Sequence, residues 1–301
     1  MSLRTRELVW RTMVGAALLA AALLAPGCSE RNDAPVGQTL STLKRAQQSG
    51  SIRVGYANEA PYAYLESASR KLTGEAPEIA RAVLAEMGIG EVEGVLTEFG
   101  SLIPGLKAGR FDIIAAGMYI LPERCKEIVF SNPTYSVGEA FIVASGNPLG
   151  LNGYESAARH AEARLGVVAG TVEREYARQT GIPEARVVVF PDAPSALDGV
   201  IAGRVDAYAA TSLTVNNLLA RAQSSRVERA APFFEPIIAG KPARGYGAFG
   251  FRKADQDLVA AFNSALARFI GTPRHLELVK PFGFTNAELP GPATATELCR
   301  G

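Results

Sequence analysis

The residues with the clearest chemical potential lie between Gly117 and Tyr135, in GMYILPERCKEIVFSNPTY. A buried apolar run, FDIIAAG (111–117), leads into Tyr119, and Pro122 then opens a short helical turn carrying Glu123, Arg124 and Cys125. An aromatic and an arginine at the mouth of a buried strand can hold a ligand that is anionic at one end and flat elsewhere. Taken alone, the same stretch also fits a solvated Arg124 in a first helical turn and a Tyr119 that is plain core. Other candidates sit in NEAPYAY (58–64), with Glu59, Tyr62 and Tyr64, and at Phe99. Core packing is the competing role for Phe99 and the preferred one for Tyr64.

Enzymatic and metal constellations are scarce. The two histidines, His160 and His275, are each expected alone on an exposed helix, with surface roles. No cysteine pair has metal-ligand spacing and no G-x-S-x-G elbow occurs, so neither a metal nor a cofactor is expected. GYGAFG (245–250) spells G-x-G-x-x-G, but no phosphate-binding helix follows it in register, which argues against a dinucleotide site.

The elements that would position these residues alternate. SIRVGYA is a strand, GEAPEIARAVLAEMG a helix ending at Gly88, VEGVLTEF a strand, SLIPGLKAGR a helix that Ser101 could cap, and FDIIAAG a strand. After AFIVASGNP the pattern restarts with LGVVAG, TVEREYARQTG, RVVVF, APSALDGVIAGR, DAYAAT and SLTVNNLLARAQ. YGAFGFRK, DLVAAFNSALARFIG and HLELVKPFG follow, and LPGPATATELCRG reads as loop. Such alternation predicts an α/β protein with mostly parallel sheets covered by helices. GLKAGRFDIIAAG (105–117) matches GVIAGRVDAYAAT (199–211) at seven of 13 positions, and RVGYANEA (53–60) parallels RLGVVAGT (164–171). Two lobes of one plan are therefore expected. Lobe 1 spans 51–143 and 248–290 and lobe 2 spans 144–247, with hinges near Val143–Ser145 and Gly245–Gly250 and a tail at 291–301. Ligands in open α/β sheets bind beyond the carboxyl ends of strands, which here carry NEAPY, GMY, AGT and ATS.

The first residues read differently. Arg4, Arg6 and Arg11 precede the apolar run 13–25, which is shorter than the roughly 20 residues needed to span a bilayer. Residues 1–27 are read as an export signal and 28–50 as a polar tether running into a short helix. The LAPGC sequence resembles a bacterial lipobox, with Cys28 as the lipidated residue; cleavage nearby to a soluble secreted protein is the alternative. Without residues 1–27 the chain loses three Arg and one Glu, leaving 28 basic against 29 acidic residues. That balance does not suggest nucleic acid as a partner. If Cys28 carries lipid, Cys125 and Cys299 remain, an even number that suggests a disulfide in an oxidising compartment, with two free buried thiols as the alternative.

GMYILPERCKEIVFSNPTY resembles the signature of the periplasmic solute-binding proteins that serve polar amino acid ABC importers, across residues 51–289. The resemblance implies a two-lobed type II periplasmic binding protein fold with the ligand in the cleft and hinge closure. It implies a monomer in the periplasm or on the outer face of the cytoplasmic membrane, and a membrane permease as partner. It also implies that Arg124 grips a ligand carboxylate through two parallel charge-assisted hydrogen bonds. Gly117 belongs to the same strand-end signature. Gly170 and Thr171, opening a helix, resemble the family's second carboxylate contact. Amino acid binders usually place an Asp where this chain has Thr211, which argues against an ordinary α-ammonium.

VGYANEAPYAY, GEAPEIA and LTEFGSLIPGLKAGRFD are similar to the ectoine and hydroxyectoine binding proteins of ABC importers. That similarity implies an aromatic cage of Tyr62, Phe99 and Tyr119 around a flat cation, Glu59 near its N–H and Arg124 on its carboxylate. Binding of another polar amino acid or a betaine-like solute is the alternative. So is a dehydratase-type enzyme with Glu59 or Glu173 as its acid.

Overall fold

The computed structural model describes residues 40–300. The expected export signal, Cys28 and the tether up to residue 39 lie outside the described residues. The strands are β1 (Ser51–Tyr56), β2 (Glu91–Leu96), β3 (Ile113–Tyr119), β4 (Val129–Phe130), β5 (Tyr135–Val137), β6 (Glu139–Ala144), β7 (Leu165–Val168), β8 (Val187–Phe190), β9 (Ala207–Thr211), β10 (Val227–Arg229) and β11 (Gly245–Phe251). Two hairpins with two-residue strands, at 64–73 and 237–242, stay unnumbered.

One sheet runs β2-β1-β3-β11-β4, with β5 also on β11. In it β1 is parallel to β2 and β3, and β11 is antiparallel to β3, β4 and β5. The other runs β8-β7-β9-β6-β10, with β7 parallel to β8 and β9, and β6 antiparallel to β9 and β10. Each sheet is thus parallel at its centre and antiparallel where the chain arrives from or returns to the other.

The passage between sheets falls at Gly138, earlier than the expected Val143–Ser145, because β6 already pairs with β9 and β10. An apolar run such as AFIVA fits either sheet equally, so sequence alone does not assign it. The return passage lies between Arg229 and Gly245, ahead of the expected Gly245–Gly250, since β11 pairs in lobe 1 from its first residue. At these crossings the Glu235 carboxylate accepts the Glu139 backbone N–H (2.9 and 3.1 Å). A Cβ on Gly138 would sit 2.0 Å from Glu235 Oε1, so the absence of a side chain makes room for this tie.

Helices cover the sheets where the periodicity placed them. Glu75–Glu86 buries Ile79, Ala80, Val83 and Leu84, and Gln256–Phe269 buries Leu258, Phe262, Leu266 and Phe269. Three local expectations fail. Ser101 makes no side-chain cap. His275 is buried rather than exposed: its Nδ1 accepts the Gly271 N–H, and desolvation lowers its pKa to about 4. The tail is not all loop, because Thr294 and Glu297 form a capping box that starts the helix Ala295–Leu298. Cys299, directly after it, is disulfide-bonded to Cys125.

Candidate functional site

The carboxyl ends of the strands of both lobes face one another, as the two half-sequences predict. Beyond β3, Pro122 starts the helix Pro122–Cys125, a position where the missing N–H of proline costs nothing, and this turn points Arg124 back toward Tyr119. Arg124 donates to the Tyr119 carbonyl (2.8 Å) and, across the cleft, to the Gly170 carbonyl (2.9 Å). Its guanidinium carbon lies 5.5 Å from the centre of the Phe99 ring. Phe99 opens a single 3₁₀ turn (Phe99–Ser101) rather than ending a strand.

Glycines create the room for the rings. Gly117 has φ +65°, and a Cβ there would lie 2.6 Å from the Tyr62 ring. A Cβ on Gly245 would lie 1.8 Å from the Tyr119 ring, and one on Gly247 2.1 Å from the Tyr135 ring. The first two glycines of GYGAFG therefore serve aromatic packing, which gives the motif a physical reason unrelated to phosphate. Tyr135 stacks on Tyr62 (centroids 5.2 Å apart) and its hydroxyl donates to the Gly117 carbonyl (2.7 Å). Sequence reading missed Tyr135 as a supporting ring, although it closes the very stretch singled out.

Lobe 2 answers with hydroxyls and carboxylates. Thr211 caps the helix Ser212–Ala222 through the Thr214 N–H. A run of hydroxyl donations crosses the cleft twice: Tyr62 to Thr211 Oγ1 (2.8 Å), Thr211 to Thr214 Oγ1 (3.1 Å), and Thr214 to Glu59 Oε1 (2.8 Å). Gly170, at φ +81°, packs against Gly100, where a Cβ would come within 2.6 Å of the Gly100 Cα. With the Arg124–Gly170 bond, these contacts hold the lobes together over the cleft.

The space between the lobes, about 330 Å³ including its opening to solvent, is lined by Glu59, Tyr62, Phe99, Gly117, Tyr119, Arg124, Thr171 and Thr211. Ala116, Val172 and Glu173 complete the lining. Of the ligand contacts expected from sequence, Gly170 is absent from that wall, and it contributes its carbonyl to Arg124 rather than a free N–H. Thr171 spends its hydroxyl on the Val168 carbonyl (2.9 Å), so it does not point a free donor at an anion in this arrangement. Tyr64 faces away and stacks under Arg221, 4.7 Å from ring centre to guanidinium carbon. Glu173, foreseen only as an enzymatic acid, proves to be a cavity wall; its place at the start of a helix after GT was the available signal.

The electrostatics are those of a dry cleft. Burial pushes Glu59 up to about 7 against the Thr214 hydrogen bond, and the charge of Glu173 adds to the rise. Arg124 falls to about 10 through desolvation, opposed by Glu173 and the nearby tyrosines. The Tyr119 hydroxyl is buried without a hydrogen-bond partner among the described residues. Among those residues no group of three or more His, Cys, Asp or Glu is arranged to hold a metal ion. The arrangement offers a fixed cation, ring faces and carboxylates around a small space.

Two lobes joined by paired crossings, with helices flanking each sheet and a cavity between them, define the type II periplasmic binding protein fold. The chain belongs to the bacterial extracellular solute-binding proteins, family 3, whose profile matches residues 52–284. It is 37% identical over 263 residues to a probable amino-acid ABC transporter periplasmic-binding protein of Sinorhizobium fredii, covering 86% of each chain. It is 27% identical to an L-arginine-binding protein of Pseudomonas aeruginosa, covering 71% of this chain and 81% of that one. The solved structure of EhuB in complex with hydroxyectoine superposes with a TM-score of 0.77 at 34% identity, covering 86% of this chain and 97% of EhuB. An ancestral amino acid-binding protein, described as a precursor of cyclohexadienyl dehydratase, superposes at 0.70 with 26% identity, covering 80% and 99%.

Proposed function

We propose that this chain is the extracytoplasmic capture protein of an ABC importer, and that it closes by hinge motion on ectoine or hydroxyectoine and delivers it to a membrane permease. The observation that carries the reading is the position of Arg124 beside the Phe99 ring, with Tyr62 and Tyr119 lining the same space and Glu59 and Glu173 on its other walls. A carboxylate would engage the guanidinium in place of the backbone carbonyls that it now meets. A flat, delocalised cation is weakly hydrated and gains about 2 kcal/mol per desolvated ring face. Thr211, committed to a helix cap and to Tyr62, offers a compact ammonium no charge. The unpartnered Tyr119 hydroxyl is available to the additional hydroxyl of hydroxyectoine. The hydroxyectoine complex of EhuB supports the ligand, and the transporter name of the Sinorhizobium fredii relative supports the importer role. Export to the periplasm, anchoring through Cys28 and a monomeric state belong to this proposal.

A second reading rests on Glu173. Its carboxyl lines the cavity and could receive the α-ammonium that Thr211 cannot, which would suit a polar amino acid. Calorimetric titration with ectoine, hydroxyectoine, arginine, histidine and a betaine separates the two. Arg124→Ala is expected to weaken ectoine binding by about 2–5 kcal/mol, the cost of stranding one member of a buried charge pair. Unchanged affinity would remove Arg124 from the site, and tighter binding of an α-amino acid would select the second reading. Turnover of a prephenate-like substrate would place a dehydratase on this scaffold instead.

A further inference from the structure

Behind the cavity lies a pair of carboxyls that the binding of a zwitterion does not by itself require. Glu139 is the first residue of β6, just past the Gly138 crossing, and is the sheet partner of Thr211. Glu173 opens the helix Glu173–Gln179 and faces the cavity. They are 2% and 4% exposed, and their carboxyls lie within hydrogen-bonding reach of each other. Glu139 Oε1 and Glu173 Oε2 have no donor among the described residues, and the Tyr154 hydroxyl reaches Glu139 Oε2 only at 3.5 Å. Ionised carboxylates are acceptors only, so two in contact cannot satisfy each other unless one carries a proton.

We propose that Glu139 and Glu173 share one proton in the closed chain, and that Glu139 thereby acts as a positioning residue, setting the single charge that Glu173 presents to the ligand's cation. This rests on the zwitterion reading of the cavity. The groups around the pair favour such sharing. On the Glu173 side, Arg124 pulls toward ionisation and Glu59 pushes against it. On the Glu139 side stand a third carboxyl, Glu235, and the Tyr154 and Tyr176 hydroxyls. Arg229 and Arg244 act on Glu235 rather than on the pair. Burial first, and then the repulsion among Glu139, Glu173 and Glu235, keeps a proton on the pair.

Glu173 sits on the cleft face of lobe 2, so opening the lobes hydrates it and lets the proton go, whereas closing on ligand takes it up. Affinity should then fall as pH rises while the pair titrates, by up to tenfold per pH unit, the limit for one linked proton.

The test is calorimetry of ectoine binding in two buffers of different ionisation heat between pH 5 and 9, for the wild type and Glu139→Gln. Glutamine keeps a donor toward Glu173 but has no proton to exchange. Wild type is expected to take up more protons than E139Q, by up to about one per ligand. E139Q should bind within a few-fold of wild type at low pH and show a flatter pH profile. Equal proton uptake in the two proteins overturns the proposal while leaving the ligand assignment standing. If ectoine and amino acids fail to bind wild type at every pH, both fall. Should E139Q not fold, the infrared carboxyl band of Glu59→Gln saturated with ectoine decides, since Glu59 then contributes no acid: a protonated acid that appears on binding supports the sharing, and its absence overturns it.

Discussion

Arg53, within β1, and Arg164, just before β7, hold matching places in the two lobes and do the same local work. Arg53 binds Asp112 through Nε (3.3 Å) and donates to the Gly109 carbonyl (3.1 Å), in the turn after the helix Leu102–Lys107. Arg164 binds Asp206 through Nε (3.3 Å) and donates to the Gly203 carbonyl (2.9 Å), in the turn after the helix Ala193–Ile201. Gly109 and Gly203 both hold positive φ, +71° and +68°, so even the helix endings are copies. The aspartates differ in company. Asp206 has Arg164 alone and its side chain is 25% exposed. Asp112, with a side chain 6% exposed, also receives Arg45 (2.9 Å) from the first helix and Arg252 (3.0 Å) from just after β11. Lobe 1 is assembled from both ends of the described chain and lobe 2 from one continuous piece, so only lobe 1 needs a junction of that kind. The cleft side repeats the lesson: lobe 1 supplies the rings and the arginine on a cross-linked base, and lobe 2 supplies hydroxyls and carboxylates at helix starts.

The largest test of this difference is a paired substitution. Asp112→Ala strands three arginines around a buried position and is expected to cost about 3–5 kcal/mol in urea unfolding, whereas Asp206→Ala, at an exposed pair, should cost about 1 kcal/mol or less. Equal losses would show that the junction does not distinguish the lobes. Next comes Glu75, buried in lobe 1 under the Thr134 hydroxyl (2.8 Å), which burial pushes up to about 8. A carboxyl whose folded pKa is raised binds its proton more tightly when folded, so its stabilising contribution is present below the unfolded value and is lost as pH rises to about 8. Glu75→Gln should therefore raise stability at pH 9 by about 5 kcal/mol and change it little at pH 4. Melting temperatures at the two pH values check this; a wild-type-like pH slope in the variant would refute it. Cys299→Ser, which frees the tail from the helix bearing Arg124, should cost about 2–4 kcal/mol, read by denaturant unfolding.

The repeated frame was legible because it is written in local residue types. The Gly-Arg-x-Asp pair at 109–112 and 203–206 and the strand-opening arginines survive as identities, and helix periodicity marked each covering element. Arg124, Tyr62, Phe99 and Tyr119 were readable because they follow strand ends in the stretches that resemble a known signature. What stayed hidden depends on contacts across long separations. β6 belongs to lobe 2 because of pairing with β9, more than sixty residues on, and an apolar strand carries no mark of its sheet. His275 is buried by the ring of Phe269 and its neighbours, which no helical pattern of one histidine announces. Glu139 and Glu173 sit in separate elements, and their meeting follows only from how β6 and the Glu173 helix pack.

The smallest expected effect bears directly on what joins the lobes. Thr211→Val keeps the shape of the side chain and removes the hydroxyl that links Tyr62 to Thr214 and Glu59. Part of its cost, about 0.5–2 kcal/mol for a lost helix cap, falls on lobe 2 whether or not the cleft is closed. The cross-cleft bond exists only when Tyr62 and Thr211 meet, so its loss, about 1 kcal/mol, should appear as weaker ligand affinity. Thr211→Ser retains both interactions and should behave as wild type. If Thr211→Val lowers the melting temperature but leaves affinity unchanged, Thr211 is a cap of lobe 2 only, and the join between the lobes rests on Arg124, Gly170 and the ligand itself.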